Sequence, residues 1–144
     1  MTLSSEGQMA QGMLSRKDLL EALQAWIQRW RVIAPVRRGC EVRFEEVEDA
    51  ASIALDYGNT KHSLKSVYLP QVEQLFTYAR RRDDHNAITA TEPPSGPTML
   101  FAVHPCDARA RLMVDRVMVD GVCRDRYYAE RRDGIVVVGL ACGE

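Results

Sequence analysis

The 144-residue sequence is marked first by what it lacks. No apolar run approaches the roughly 18 residues of a membrane-spanning helix, so direct membrane insertion is not expected. The opening residues, MTLSSEGQMAQGM, have no basic start and no apolar centre, which argues against a secretory signal. Residues 1–14 read instead as a flexible leader, and the expected location is cytoplasmic. Charge of one sign is also missing: the formal net charge is −1. That balance points away from nucleic acid as a partner and gives no acidic tail. Cysteine is sparse and scattered. Cys40, Cys106, Cys123 and Cys142 form no C-x-x-C pair, so a zinc finger and a ferredoxin-type cysteine run are both excluded from this sequence. The segment Gly139-Leu140-Ala141-Cys142-Gly143 is too poor in glycine pattern to be a phosphate loop.

What is present fits one α/β domain over residues 15–144, with an α+β arrangement as the alternative. A chain of this length buries roughly two thirds of its unfolded surface and needs no disulfides for stability. In a reducing compartment its cysteines are expected as thiols, metal ligands or reactive groups. Ser15 and Asp18 have the spacing of a helix N-terminus, and Leu19, Leu20, Leu23, Trp26, Ile27 and Trp30 follow at helical intervals. Residues 32–36 and 40–47 read as two short strands joined through Gly39. Leu64 to Leu69 reads as a strand ending at Pro70. Gln71 to Arg82 reads as a short helix with Val72, Leu75, Phe76 and Ala79 on one face. It ends in the basic run Arg80-Arg81-Arg82, which suits a helix C-terminus and is a candidate docking patch for an acidic partner. Residues 83–97 read as a loop, with 93–97 as the internal linker.

The last third has a different texture. Thr98 to Val103 (TMLFAV) and Ile135 to Leu140 (IVVVGL) are continuous apolar runs. Between them, Asp107 to Val119 has helical periodicity, with Ala110, Met113, Val114 and Val117 on one face, and Asp125 to Asp133 reads as a second helix stopped by Gly134. Apolar run, helix, apolar run is the pattern of a β-α-β unit in a buried, partly parallel sheet. Because such crossovers are right-handed and parallel, both strands end on one edge. Cys106 follows the first strand and Cys142 the second, on the edge where α/β proteins place ligands. A helix start at Cys106 favours the thiolate, the form that binds metal or attacks electrophiles. Asp107 is placed to cap that helix, and His104 is a candidate ligand or proton donor. The pair admits a metal or cluster site, a redox disulfide, or nucleophile chemistry. No base accompanies Cys106 in the sequence, although His62, His85 or His104 could approach it, so no catalytic residue is assigned. Cys40 and Cys123 read as structural thiols.

The segments KSVYLPQVEQLFTY, LFAVHPCDARARLMVDRVM and RYYAERRDGIVVVGLAC resemble a family of iron–sulfur subunits. These are the β subunits of sulfhydrogenase-type nickel–iron hydrogenases and the A subunit of anaerobic sulfite reductase. The resemblance implies an accessory electron-transfer subunit of an oxidoreductase complex rather than a catalytic chain. It implies a [4Fe–4S] cofactor, other subunits as partners, and a flavin on a partner subunit. Cys106 and Cys142 match family cysteines and would be cluster ligands, with Asp107 and His104 beside them. Such subunits add a ferredoxin-like region and a Cys-Phe-Cys segment. Both are absent from this sequence, so its ligand set is incomplete, because a [4Fe–4S] cluster takes four cysteines. Two further readings stand beside this one: a scaffold or interaction domain with incidental cysteines, and a cysteine-based redox switch.

Overall fold

A computed structural model describes residues 12–80, 87–91 and 96–142. Its centre is a four-stranded sheet built from β1 (Arg31–Arg38), β2 (Glu41–Glu46), β5 (Thr98–Val103) and β6 (Ile135–Gly139), in the order β2-β1-β5-β6. β1 and β2 pair antiparallel through a tight turn at Gly39, whose φ of 64° suits glycine. β1 with β5, and β5 with β6, pair parallel. The sheet is therefore mixed, and its three parallel strands all end on one edge.

Alternation in the two central strands creates two cores. Val32, Ala34, Val36, Met99 and Phe101 face one side and pack on α1 (Arg16–Ile27) and the short 3-10 turn Ala50–Ser52. The Ser15 hydroxyl caps α1 by accepting from the Asp18 amide at 3.2 Å, so the capping expectation holds. Leu23 is fully buried, and Leu19, Leu20, Ile27 and Trp30 flank it, whereas Trp26 is exposed. The other side carries Ile33, Leu100 and Val103. It is covered by α2 (Lys65–Tyr68), α3 (Pro105–Met118) and α4 (Arg126–Asp133). Burying one such aliphatic side chain contributes about 1.5–3 kcal/mol.

Three local expectations are corrected. Residues 64–69 are not a strand. Leu64, Val67 and Tyr68 have i, i+3, i+4 spacing, and one helical turn brings all three to the core. Residues 71–80 are not a helix, and the last two residues of the stretch read as one, Arg81 and Arg82, lie outside the described residues. Phe76–Ala79 is strand β3, paired antiparallel with β4 (Ala87–Ala90) inside the stretch read as loop. Phe, Thr, Tyr and Ile favour a pleated ribbon, and each of the eight paired residues is exposed, so no core enforces a helical period. Finally, three of the four α3 residues read as inward point out: Ala110 is exposed, and Met113 and Val117 are 58% and 71% exposed. The fourth, Val114, does pack inward, together with Ala108, Met118 and Val119, and the helix buries Asp115.

Candidate functional site

The β-α-β reading is realised: β5, α3, α4 and β6 follow in order, and β5 and β6 are hydrogen-bonded neighbours. The pairing has one irregularity. Leu100 lies opposite Val137 and Val103 opposite Gly139, so β5 carries one more residue than β6 between these pairs. The extra residue forms a bulge, a feature rare in parallel pairs that re-aims the chain beyond it. Within it Ala102 has a φ of 58°, the left-handed region that costs a side-chain-bearing residue energy. Past the bulge, the Leu140 amide donates to the Val103 carbonyl at 2.8 Å and ties the two strand ends together. Cys106 stands in the first turn of α3, with Pro105 opening the helix, and Cys142 stands just beyond β6. Both are exposed free thiols.

Tyr57, which carried no signal in the sequence, sits at the centre of this edge. Its hydroxyl donates to the Ala102 carbonyl at 2.6 Å. Its ring stacks on His104 at 4.3 Å with the planes 9° apart, and Phe44 meets it edge-on. Burial, together with the negative charges of Asp107, Cys106 and Cys142, pushes the Tyr57 hydroxyl up to about 12. One phenol thus feels the carboxylate and both thiols. His104 is buried, its ring lying against Tyr57, and it caps α3 with no side-chain hydrogen bond. Asp107 lies in the first turn of α3, where its charge suits the helix dipole. Among the described residues, no three His, Cys, Asp or Glu side chains gather as a metal-binding group. By donor chemistry the two thiols suit an iron–sulfur cluster. By number they are half of the four that a cubane takes.

The remaining candidates lie elsewhere. Arg80 follows β3 and is exposed, while Arg81, Arg82 and His85 lie outside the described residues. Cys40, in the hairpin turn, and Cys123 are exposed rather than packed as structural thiols. Cys40 and Tyr57 both line an open, polar cleft of about 480 Å³ in which Arg37 pairs with Asp56 and Lys61 with Glu41. Lys61 and then Arg43 hold the Glu41 carboxyl down at about 2. A larger groove of about 890 Å³ opens at the opposite edge, where Arg31, Thr98 and Ile135 begin their strands.

The tyrosine–arginine segment of α4 serves as a clasp. Tyr128 donates to the buried Asp115 carboxylate at 2.6 Å, and Arg132 donates to both of its oxygens at 3.1–3.2 Å. Burial works against the charged form of Asp115. The bonds from Arg132 and Tyr128 outweigh it and leave the carboxyl below its ordinary range. Arg131 donates to the Tyr68 carbonyl and pairs with Glu73, and Tyr127 donates to the Leu75 carbonyl. These bonds lock α4 onto α3 and onto the segment after α2.

No helix among the described residues is long and apolar enough to cross a membrane. No family model matches the chain, and no solved structure matches it. Among curated proteins, sulfhydrogenase 2 subunit beta of Pyrococcus furiosus is 31% identical over 112 residues. That alignment covers 78% of this chain and 31% of the relative, so the chain corresponds to less than a third of the subunit it resembles.

Proposed function

We propose that this chain is an accessory electron-transfer module of a hydrogenase-type oxidoreductase complex, in which Cys106 and Cys142 supply two thiolates to an iron–sulfur cluster. The observation that carries the reading is the placement of both thiols beyond the ends of neighbouring parallel strands, which the Leu140–Val103 hydrogen bond ties together. The similarity to a sulfhydrogenase β subunit supports the hydrogenase side of the resemblance rather than the sulfite reductase side. A cluster held there would exchange single electrons with a partner's redox group. The chain's own residues have three tasks in this scheme. Cys106 and Cys142 bind, the bulge and Pro105 aim Cys106, and Asp107 with the buried His104 shapes the charge around the thiols. The other two ligands come from further polypeptide, in the same chain or a partner, as the count of four requires.

The module works among other subunits, one of which carries the flavin or nickel–iron chemistry. Docking through the ribbon of β3 and β4 is favoured by its composition. Phe76, Tyr78 and Ile88 share one face and are 57%, 54% and 69% exposed, and Arg80 follows directly. The working compartment is the cytoplasm.

Anaerobic reconstitution with iron and sulfide, in the presence of the partner subunits, tests the reading. The bound-cluster electron paramagnetic resonance signal should appear after reduction and be lost in Cys106→Ser and Cys142→Ser, but not in Cys40→Ser or Cys123→Ser. Equal signals in all four variants refute it.

A further inference from the structure

The strand end before Cys106 is held in an unfavourable conformation. A bulge in a parallel pair, at a non-glycine residue with φ 58°, has to be stabilised by its surroundings. One side chain contacts both sides of it. The Tyr57 hydroxyl bonds the carbonyl of the bulged Ala102, and the Tyr57 ring stacks on His104, two residues before Cys106. Between these grips, the Val103 carbonyl is bonded by the Leu140 amide, two residues before Cys142. Tyr57 comes from neither strand. It lies in the loop after the 3-10 turn and reaches the edge across the sheet end.

We propose that Tyr57 is the positioning residue of this edge: by clamping the Ala102 bulge and the His104 ring, it sets Cys106 at the distance from Cys142 at which both thiols grip one soft centre. The proposal rests on reading the edge as a thiolate site, and it adds the residue that makes the site chelating.

The test uses a trivalent arsenical, phenylarsine oxide, on the full chain carrying Cys40→Ser and Cys123→Ser. The hydrated reagent forms two As–S bonds as two As–O bonds break. The two thiol protons leave with the oxygens as two waters, and nothing is oxidised or reduced. Tight one-to-one binding is expected only when both thiols are correctly spaced. Tyr57→Phe, which keeps the stack and loses the hydroxyl, should weaken binding about tenfold, the worth of one hydrogen bond to a buried carbonyl. Monofunctional alkylation of each thiol should change less than about twofold, because spacing and not access is altered. Ala102→Gly adopts the positive φ freely, so adding it to Tyr57→Phe should restore binding to within about threefold of the parent. A purely structural tyrosine would show no such rescue.

Equal arsenical binding by the parent and Tyr57→Phe overturns the proposal, as does a parent that does not chelate at all. Iron–sulfide reconstitution of the same proteins in the presence of the partner subunits, which supply the other two ligands, separates the two ideas. Tyr57-dependent chelation without any cluster keeps the clamp and removes the cluster. A cluster together with Tyr57-independent chelation does the reverse.

Discussion

Asp115→Ala is the sharpest test of how α3 and α4 are held behind the site. Asp115 is 7% exposed, and its carboxylate accepts from the Tyr128 hydroxyl and from Arg132 at 3.1–3.2 Å. Removing it orphans the hydroxyl of a tyrosine that is 1% exposed, and it leaves a guanidinium without its main partner. Breaking a buried pair costs about 3–5 kcal/mol. The Arg132 side chain is 34% exposed and recovers some hydration, so the expected loss is about 2–4 kcal/mol. Tyr128→Phe removes one donor and leaves the ion pair, for a loss of about 1 kcal/mol. Because the two residues share a bond, the double variant should lose at least about 0.5 kcal/mol less than the sum of the singles. Urea unfolding followed by circular dichroism measures all three. An Asp115→Ala loss below about 1 kcal/mol, or strict additivity, would refute the assignment of this carboxylate as the joint between the helices.

Other expectations follow from the same geometry. Acid unfolding should report Asp115: its carboxyl lies below the ordinary 3.8, so the stability it provides is present above that pH and is lost as pH falls through the lower folded value. Asp115→Asn should flatten the stability curve in that window, as pH-dependent urea midpoints would show. Leu100→Ala, at a fully buried position in the central strand β5, should cost about 2–5 kcal/mol in the same unfolding assay. Ala102→Gly should be within about 1 kcal/mol of neutral despite removing a buried methyl, because glycine relieves the positive φ, and thermal melting measures it.

The fold was legible where one face of each element had a single job. Thr98–Val103 is buried along nearly its whole length and pairs with the edge strand Ile135–Gly139, and their unbroken apolar runs announced a parallel pair. From that pair the shared edge of Cys106 and Cys142 followed by handedness. Legibility failed where burial and hydropathy part company. The inner face of α3 includes Asp115 and Arg111. Tyr128 and Arg132 bond the first, and the second lies 5.6 Å over the Tyr68 ring. A count of apolar residues therefore selected the outer face, with Met113 and Val117. The ribbon of β3 and β4 failed for the opposite reason. Its apolar residues are in solvent, so they give no period tied to a core. Tyr57 was invisible because its role depends on a contact with Ala102 far along the chain and on a bulge that no local motif encodes.

Cys106 and Cys142 are proposed to act as a pair of cluster thiolates. The most direct measurement is the iron and acid-labile sulfide bound per chain after anaerobic reconstitution of the intact complex. Wild type, Cys106→Ser, Cys142→Ser and the Cys40→Ser/Cys123→Ser control are compared side by side. Each single change at Cys106 or Cys142 should lower bound iron by the content of one cluster, while the control retains it. Unchanged iron in both single variants would contradict the proposal.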